Sequence, residues 1–338
     1  MWSRRTPIGL IAVALSLPRS SDLTGTRCTA VESGGLDVNS ARHCVLVVSA
    51  MNRRMINLFA LLIAGYMVLT PCLANANGHG PLFGLATPTN GEGGWTLDTT
   101  FMGRGGGSNN ASAFGTMLTY GITPDLQISG FAPALLTTTP LSPSQMTSMM
   151  PAGSGAYEGL LAWRFQRNDF GAGSRYESTA YAGLLLPGPQ KLPAAQGKLA
   201  WAPGFYTALT SGLASRSNYL WYGAGFTHYA MAGGDRRSDY LFYSLVYGYR
   251  PEALRADYPH WDGRFFLEMT GEHFDSITFN GAPLSGTAGD DVFFGPTTLW
   301  LYKDIGIQAG IQFPLLQSGG SKYGPEAYRW AIDCSYFF

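Results

Sequence analysis

Charge is what this sequence has least of. Lys, Arg, Asp and Glu make up 13% of its 338 residues, against about 25% in an ordinary soluble domain. The 22 basic and 22 acidic side chains cancel, which removes the basic field that a nucleic-acid partner needs. Cysteine is scarce as well. Cys28, Cys44, Cys72 and Cys334 have no C-x-x-C spacing, and three of them precede the body of the chain, so no disulfide framework is expected. From residue 94 onward no stretch carries the spacing of an amphipathic helix. The apolar run near residues 58–69 falls short of the roughly 20 residues that a membrane helix needs.

Glycine and aromatic residues are abundant instead: 44 Gly, and 13% Phe, Trp and Tyr. Few charges with many glycines and aromatics suit a structure that turns one surface to lipid. The last stretch, 326–338, is the most explicit. Tyr328, Trp330, Ile332, Cys334, Tyr336 and Phe338 alternate with Arg329, Ala331, Asp333 and Ser335, giving a strand with one apolar and one polar wall. Alone, such a strand also fits the edge of a soluble sandwich.

The same alternation recurs upstream with turn signals between the runs. Strands are predicted at about 94–103, 112–121, 126–135, 155–167, 175–186, 200–211, 218–230, 239–250, 261–274, 290–302, 305–314 and 327–337. The fold class is therefore all-β: a closed antiparallel transmembrane β-barrel of about 12 strands, the even number that bacterial single-chain barrels show. Connections after odd strands are mostly long and those after even strands mostly short, as in barrels with both chain ends in the periplasm. An open sheet edge in lipid costs several kcal/mol per unpaired group, so residues 94–103 should pair antiparallel with 327–337. Cys334 should face lipid without a disulfide partner.

Aromatic residues at strand ends suggest two interfacial girdles. Trp95, Tyr120, Phe165, Tyr249, Trp261, Tyr302 and Tyr336 fall at the periplasmic ends. Phe101, Tyr157, Trp201, Tyr229, Tyr240 and Tyr328 fall at the opposite ends.

Residues 51–76 read as a secretory signal peptide: Arg53 and Arg54, an apolar core, then Ala74-Asn75-Ala76 as a cleavage site. Residues 1–50 would then be an upstream extension, with no periodicity of their own. The rival reading places an earlier signal at Arg4, Arg5 and residues 8–17. On the preferred reading, 77–93 form a periplasmic segment leading into the barrel of 94–338, and His79 packs near its mouth.

Residues 79–97, HGPLFGLATPTNGEGGWTL, together with twelve strands and a terminal Phe, resemble the outer-membrane transporters of the phenol-degradation MetA-pathway type. That resemblance covers most of residues 77–338; its sharp motif ends in Gly93-Gly94-Trp95. It implies a bacterial outer-membrane channel for small, often hydrophobic compounds, with no catalytic residues. The terminal Phe338 resembles the assembly signal of that class, which implies the barrel-assembly machinery as a partner.

The functional material is a set of inward-facing, lumen-lining charges: Asp98, Glu158, Arg164, Glu177, Asp262, Arg264, Glu268, Glu272, Arg329 and Asp333. Such charges either pair and plug a small barrel or line a narrow wet passage. Neither sign dominates, so weak ion selectivity is expected. The Met- and Pro-rich loop 136–153 is the candidate lid. The chemical alternatives are thin. A lipase needs a Ser nucleophile beside a His base, and His228 stands without a G-x-S-x-G. Glu272, His273 and Asp275 fit no metal template. Gly103, Gly105, Gly106 and Gly107 precede no helix and so form no phosphate loop. No cofactor or metal is expected. Passage of small molecules through the outer membrane is the leading expectation; a structural or adhesive barrel with a closed lumen and partner-binding loops is the alternative.

Overall fold

Period-two alternation, repeated twelve times, closes here on itself. The structure, a computed structural model, describes residues 80–106, 110–135, 156–171, 173–187, 193–194, 197–198, 203–319 and 325–338. Its twelve long strands are β1 (Trp95–Gly105), β2 (Ala111–Thr123), β3 (Leu126–Leu135), β4 (Ala156–Gly171), β5 (Ser174–Pro187), β6 (Gly204–Ala214), β7 (Asn218–Tyr229), β8 (Tyr240–Tyr249), β9 (Asp262–Phe274), β10 (Gly289–Tyr302), β11 (Ile305–Gly319) and β12 (Tyr328–Phe337). Each pairs antiparallel with its neighbours in sequence, and β12 returns to β1 to close the barrel.

The closing register runs from Thr96 opposite Phe337 to Gly105 opposite Tyr328. Past that ladder, the Trp95 N–H donates to the Phe338 carbonyl at 2.9 Å and the Phe338 N–H returns the bond at 3.0 Å. The rings of Trp95 and Phe338 stack at 6.2 Å. The expected pairing of 94–103 with 327–337 is therefore present, and the C-terminal residue is built into the seam.

Both barrel ends of the chain lie at one rim, here called the near rim. Tight connections return there, among them Pro124-Asp125 between β2 and β3, and Lys303-Asp304 between β10 and β11. Lys303 takes a left-handed φ of 50° to make its turn. Between β8 and β9 the near-rim connection is longer and holds a 3-10 turn, Glu252–Leu254. Two strands outrun their sequence-predicted ends: β4 continues to Gly171 and β11 to Gly319. The extra residues of β4 pair with the start of β5 through two register shifts. Strand six begins at Gly204 rather than near 200; residues 199–202 and Trp201 with them lie outside the described residues.

Large apolar side chains stand outward all round the wall. Trp163, Leu184, Leu209, Leu245, Phe313 and Ile332 are examples, each exposed. A continuous apolar surface of this extent is a liability in water and a requirement in lipid. Cys334 is exposed on that wall and free.

At β8 the inner wall departs from a polar lining. In β8 the outward face is Leu241, Tyr243, Leu245, Tyr247 and Tyr249, as the alternation predicts. The inward face, Tyr240, Phe242, Ser244, Val246 and Gly248, is largely apolar too, with Ser244 as its polar group. Tyr229 and Tyr240, expected in the far girdle, are 1% and 2% exposed and point into the lumen. The parity of their strands places them there: their outward neighbours are His228 and Leu241. Trp95, Phe165, Tyr249, Trp261 and Tyr336 at the near rim, and Phe101, Tyr157 and Tyr328 at the far rim, do stand outward.

Candidate functional site: a segment threaded into the lumen

The periplasmic placement expected for residues 77–93 does not hold for 80–90. These residues run inside the barrel, and Leu82, Phe83 and Leu85 are 1%, 2% and 4% exposed. Their sequence, with Pro81, Gly84 and Pro88, forms neither helix nor strand. Irregular backbone in a barrel lumen must find partners for its N–H and C=O groups, and here the strands supply them with side chains. His79 lies outside the described residues, as does the proposed lid at 136–153.

The path can be followed bond by bond. At the near rim, the Gly93 N–H donates to the Gly121 carbonyl at 2.8 Å. The Asn90 N–H donates to Gln127 Oε1 at 2.7 Å, and Asn90 Nδ2 donates to Thr96 Oγ1 at 2.8 Å. Deeper in, Thr179 Oγ1 donates to the Thr87 carbonyl at 2.7 Å, and the Trp221 indole N–H donates to Thr87 Oγ1 at 3.1 Å. The Tyr181 hydroxyl donates to the Ala86 carbonyl at 2.5 Å, and the Leu85 N–H donates to Ser244 Oγ at 3.0 Å. Gln308 Nε2 donates to the Gly80 carbonyl at 2.7 Å.

Glu268 is the anchor. Its Oε1 accepts from the Leu82 N–H at 2.8 Å, and its Oε2 accepts from the Phe83 and Gly84 N–H groups at 2.8 and 2.7 Å. The Thr297 hydroxyl donates to Oε1 at 2.5 Å. Successive backbone N–H groups form a concave anion site, so the loop of 82–84 wraps a carboxylate presented by the wall. Hydrogen bonds to a charged partner contribute roughly 1.5–3 kcal/mol each, which makes Glu268 the strongest single hold on the segment. Gly84 permits the approach: a Cβ there would meet Val246 Cγ2 at 2.4 Å.

The segment divides the lumen. Leu82 and Phe83 pack with Met102, Ala113, Phe131 and Ala331 on the β1–β3 and β12 side. Leu85 joins a cluster of Tyr206, Tyr229, Tyr240, Phe242 and Phe274 on the β4–β9 side, toward the far rim. A third apolar cluster, with Trp221, Val246, Phe266 and Leu299, fills the near-rim half.

The ten sequence-predicted charges all point inward, but most are satisfied by pairing. Arg329, 1% exposed, bonds Glu272 at 2.6 Å and Glu326 at 2.6 Å, with its guanidinium 3.6 Å from the Phe293 ring centre. Arg164 pairs with Glu177 at 3.0 Å and with Asp125 at 2.8 Å. Asp262 holds Arg250 at 2.5 Å and Arg264 at 2.9 Å. Asp333 accepts from the hydroxyls of Thr100 and Ser335, both at 2.9 Å. Glu158 is buried in the tyrosine-rich half, and Asp98 is buried at the near-rim third of β1.

Sequence reasoning missed Arg104, Glu326, Arg250, Arg175 and Asp125, which complete these pairs. Arg104 and Asp125 stand beside glycine- or proline-containing turns, where period-two reading stops. Alternating inward positions would have found Arg104, two residues beyond Met102.

Beside the threaded segment a cavity of about 110 Å³ remains, between residues 80–90 and the wall of β1–β6, β11 and β12. Leu85, Met117, Leu160 and Ala162 line one part of it, and Asn90, Asp98, Gln127 and Asp333 another.

The residues weighed for chemistry fall apart geometrically. His228 Nδ1 bonds Asp239 at 2.8 Å at the far rim, beside the Phe205 ring; among the described residues no hydroxyl bonds it. Glu272 points inward to Arg329, whereas the adjacent His273 points outward to Asp290 at 2.7 Å. Successive strand residues face opposite ways, so Glu272 and His273 do not meet at one ion.

No protein-family model matches the chain, and no curated protein matches it. Among solved structures it is similar to an outer membrane channel from Pseudomonas putida F1, with TM-score 0.55 and 9% identity over 75% of this chain and 98% of that one. LpxR from Salmonella typhimurium is also similar, with TM-score 0.43 and 9% identity over 72% of this chain and 100% of that one. OprD from Pseudomonas aeruginosa has TM-score 0.31 and 9% identity over 76% and 97%. At 9% identity the likeness to the Pseudomonas putida channel is one of fold: a closed antiparallel barrel.

Proposed function

We propose that this chain is a bacterial outer-membrane channel for small, weakly polar organic molecules, closed at rest by residues 80–91. The observation that carries the reading is the threaded segment. It is held by hydrogen bonds rather than covalently, and it lies between apolar clusters instead of the charged rings of an ion pore. A solute that displaces it exchanges water for aromatic and aliphatic walls, which favours apolar surface by about 25 cal/mol per Å². The similarity in fold to the Pseudomonas putida channel accords with this.

The accompanying topology is part of the proposal. Residues 51–76 direct export, the near rim faces the periplasm, and Phe338 engages the assembly machinery before it locks into the seam. Vesicles containing the purified barrel should admit small neutral aromatics faster than charged solutes of equal size. Equal, background-level rates for both would defeat the channel reading. Background rates are what the second reading, a closed structural barrel, expects; the paired inward charges favour it.

A further inference from the structure

We infer that the far rim carries a second closure: the connections 230–239 and 275–288 form one lid, Arg237 is its latch, and the aromatic cluster beneath couples the lid to the threaded segment. This adds a gate at the rim opposite to the entry of residues 80–91, and it rests on the channel reading.

The two connections are tied to each other through their backbones. The Arg236 and Thr278 N–H groups each donate to the other's carbonyl at 3.0 Å, and the Gly281 N–H donates to the Gly234 carbonyl at 2.7 Å. The Asn280 N–H donates to Asp235 Oδ1 at 2.8 Å. The Asp275 N–H donates to the Asp239 carbonyl at 2.9 Å. Asn280 and Gly281 take left-handed φ values of 50° and 78°, the tight turn that folds the second connection back on itself. Connections at a rim ordinarily lie open to water. Here Arg237, Ser238, Ile277 and Thr287 are buried, so the pair folds in over the mouth as one body.

Arg237 holds that body down. Its guanidinium carbon lies 4.3 Å from the centre of the Tyr229 ring, and Tyr229 points into the lumen. The ring quadrupole attracts the cation, and a planar, weakly hydrated guanidinium suits such a stacked contact better than an ammonium does. The contact is neither covalent nor part of a strand ladder, so it can be released while the barrel stays paired.

The coupling follows from what lies beneath. Tyr229 ends β7, Tyr240 opens β8 and Phe274 ends β9, so the lid springs from three residues of one apolar cluster. Leu85 of the threaded segment belongs to the same cluster. When the segment leaves, the cluster loses a member and the packing that fixes the Tyr229 ring loosens. Coupling needs an element that both sites bias, and this cluster supplies it. By reciprocity, release of the latch weakens the hold on the segment.

Thiol labelling of the full barrel in detergent tests this, with Ser238→Cys as reporter and a bulky charged maleimide as reagent. Ser238 is 1% exposed and its hydroxyl makes no hydrogen bond among the described residues, so the reporter removes none. Labelling at position 238, read by peptide mass spectrometry, should be slow. Arg237→Ala should speed it about two- to tenfold, the range for one cation–π contact. Arg237→Lys, which keeps the charge but not the planar stack, should speed it less. Removal of residues 80–91, with Arg237 in place, should also speed it. An unchanged rate in Arg237→Ala would remove the latch, and an unchanged rate after the deletion would remove the coupling; either overturns the inference. Should Arg237→Ala not fold, Arg237→Lys and the deletion still decide it. Conductance is read separately: the chain lacking residues 80–91 should conduct more again with Arg237→Ala added. An open deletion chain that gains nothing from Arg237→Ala would overturn the lid as a gate. Silence in every chain, with the labelling pattern intact, would defeat the channel reading and leave the lid.

Discussion

Arg104 and Arg329 stand directly opposite one another across the seam that closes the barrel, and one carboxylate, Glu326, bridges them. The two are register partners in β1 and β12. Like charges placed so are destabilising in a sheet. Glu326 accepts from Arg104 at 2.8 Å and from Arg329 at 2.6 Å, and all three are buried. The Ala327 N–H also donates to the Gly105 carbonyl at 2.7 Å, which lays the approach to β12 along the end of β1. Breaking a buried pair from one side costs on the order of 3–5 kcal/mol. Glu326→Gln should therefore lower the unfolding free energy of the barrel by about that amount, since it leaves two guanidinium groups facing each other. Urea titration of the barrel in vesicles, followed by tryptophan fluorescence, measures it; an unmoved midpoint would contradict the clamp.

The same clamp gives a pH dependence. Burial pushes the Glu326 carboxyl up, but the Arg329 and Arg104 guanidinium groups outweigh it and hold it below its ordinary value of 4.5. A depressed folded value means that the ionised carboxylate stabilises the fold. Its contribution is complete above pH 4.5 and is lost as the pH falls through the folded value. The stability gap between the native chain and Glu326→Gln should be constant above that pH and narrow on the acid side. A gap that widened with acid would reverse the sign and refute the assignment.

Gly84 tests the fit of the threaded segment. A Cβ there would meet Val246 at 2.4 Å, and the segment is not braced by a ladder that could resist it. Gly84→Val should dislodge residues 82–85, because its side chain would enter the space held by the Val246 and Ser244 side chains. The readout is limited proteolysis within residues 80–91, expected to accelerate strongly while the barrel core survives. Unchanged protection would mean that Val246 moves instead.

Cys334 offers a test of the outer wall. It is exposed, free, and set between Asp333 and Ser335, which point inward. A lipid-soluble thiol reagent should label it in membranes, and a bulky charged reagent should label it only after detergent extraction. Labelling by the charged reagent in intact membranes would place that wall in water.

Much of this architecture was legible because period-two alternation is a local signal. Tyr328, Trp330, Ile332 and Cys334 announce an outward face without any knowledge of their neighbours, and the turn at Lys303-Asp304 announces the next strand. The closing partnership of β1 and β12 followed from the cost of an open edge in lipid. The candidate site was less legible. Residues 80–90 have no periodicity, and their placement depends on Glu268, almost two hundred positions away in sequence. Tyr229 and Tyr240 sit at strand ends, where a girdle is expected, but the parity of β7 and β8 turns them inward. The inner face of β8 is largely apolar like its outer face, so hydrophobicity alone does not tell lumen from lipid there. Glu326 precedes its strand and lies outside any alternating pattern.

The central claim is that residues 80–91, held by Glu268, close the lumen. Single-channel recording in planar bilayers tests it on three proteins: the native chain, a chain lacking residues 80–91, and Glu268→Gln. The native barrel should give small or rare openings. The deletion should raise conductance several-fold, and Glu268→Gln, which keeps one acceptor oxygen but replaces the other with an NH2 that cannot accept from the N–H groups it faces, should flicker between the two levels. Identical conductance in all three would show that the segment does not close the barrel.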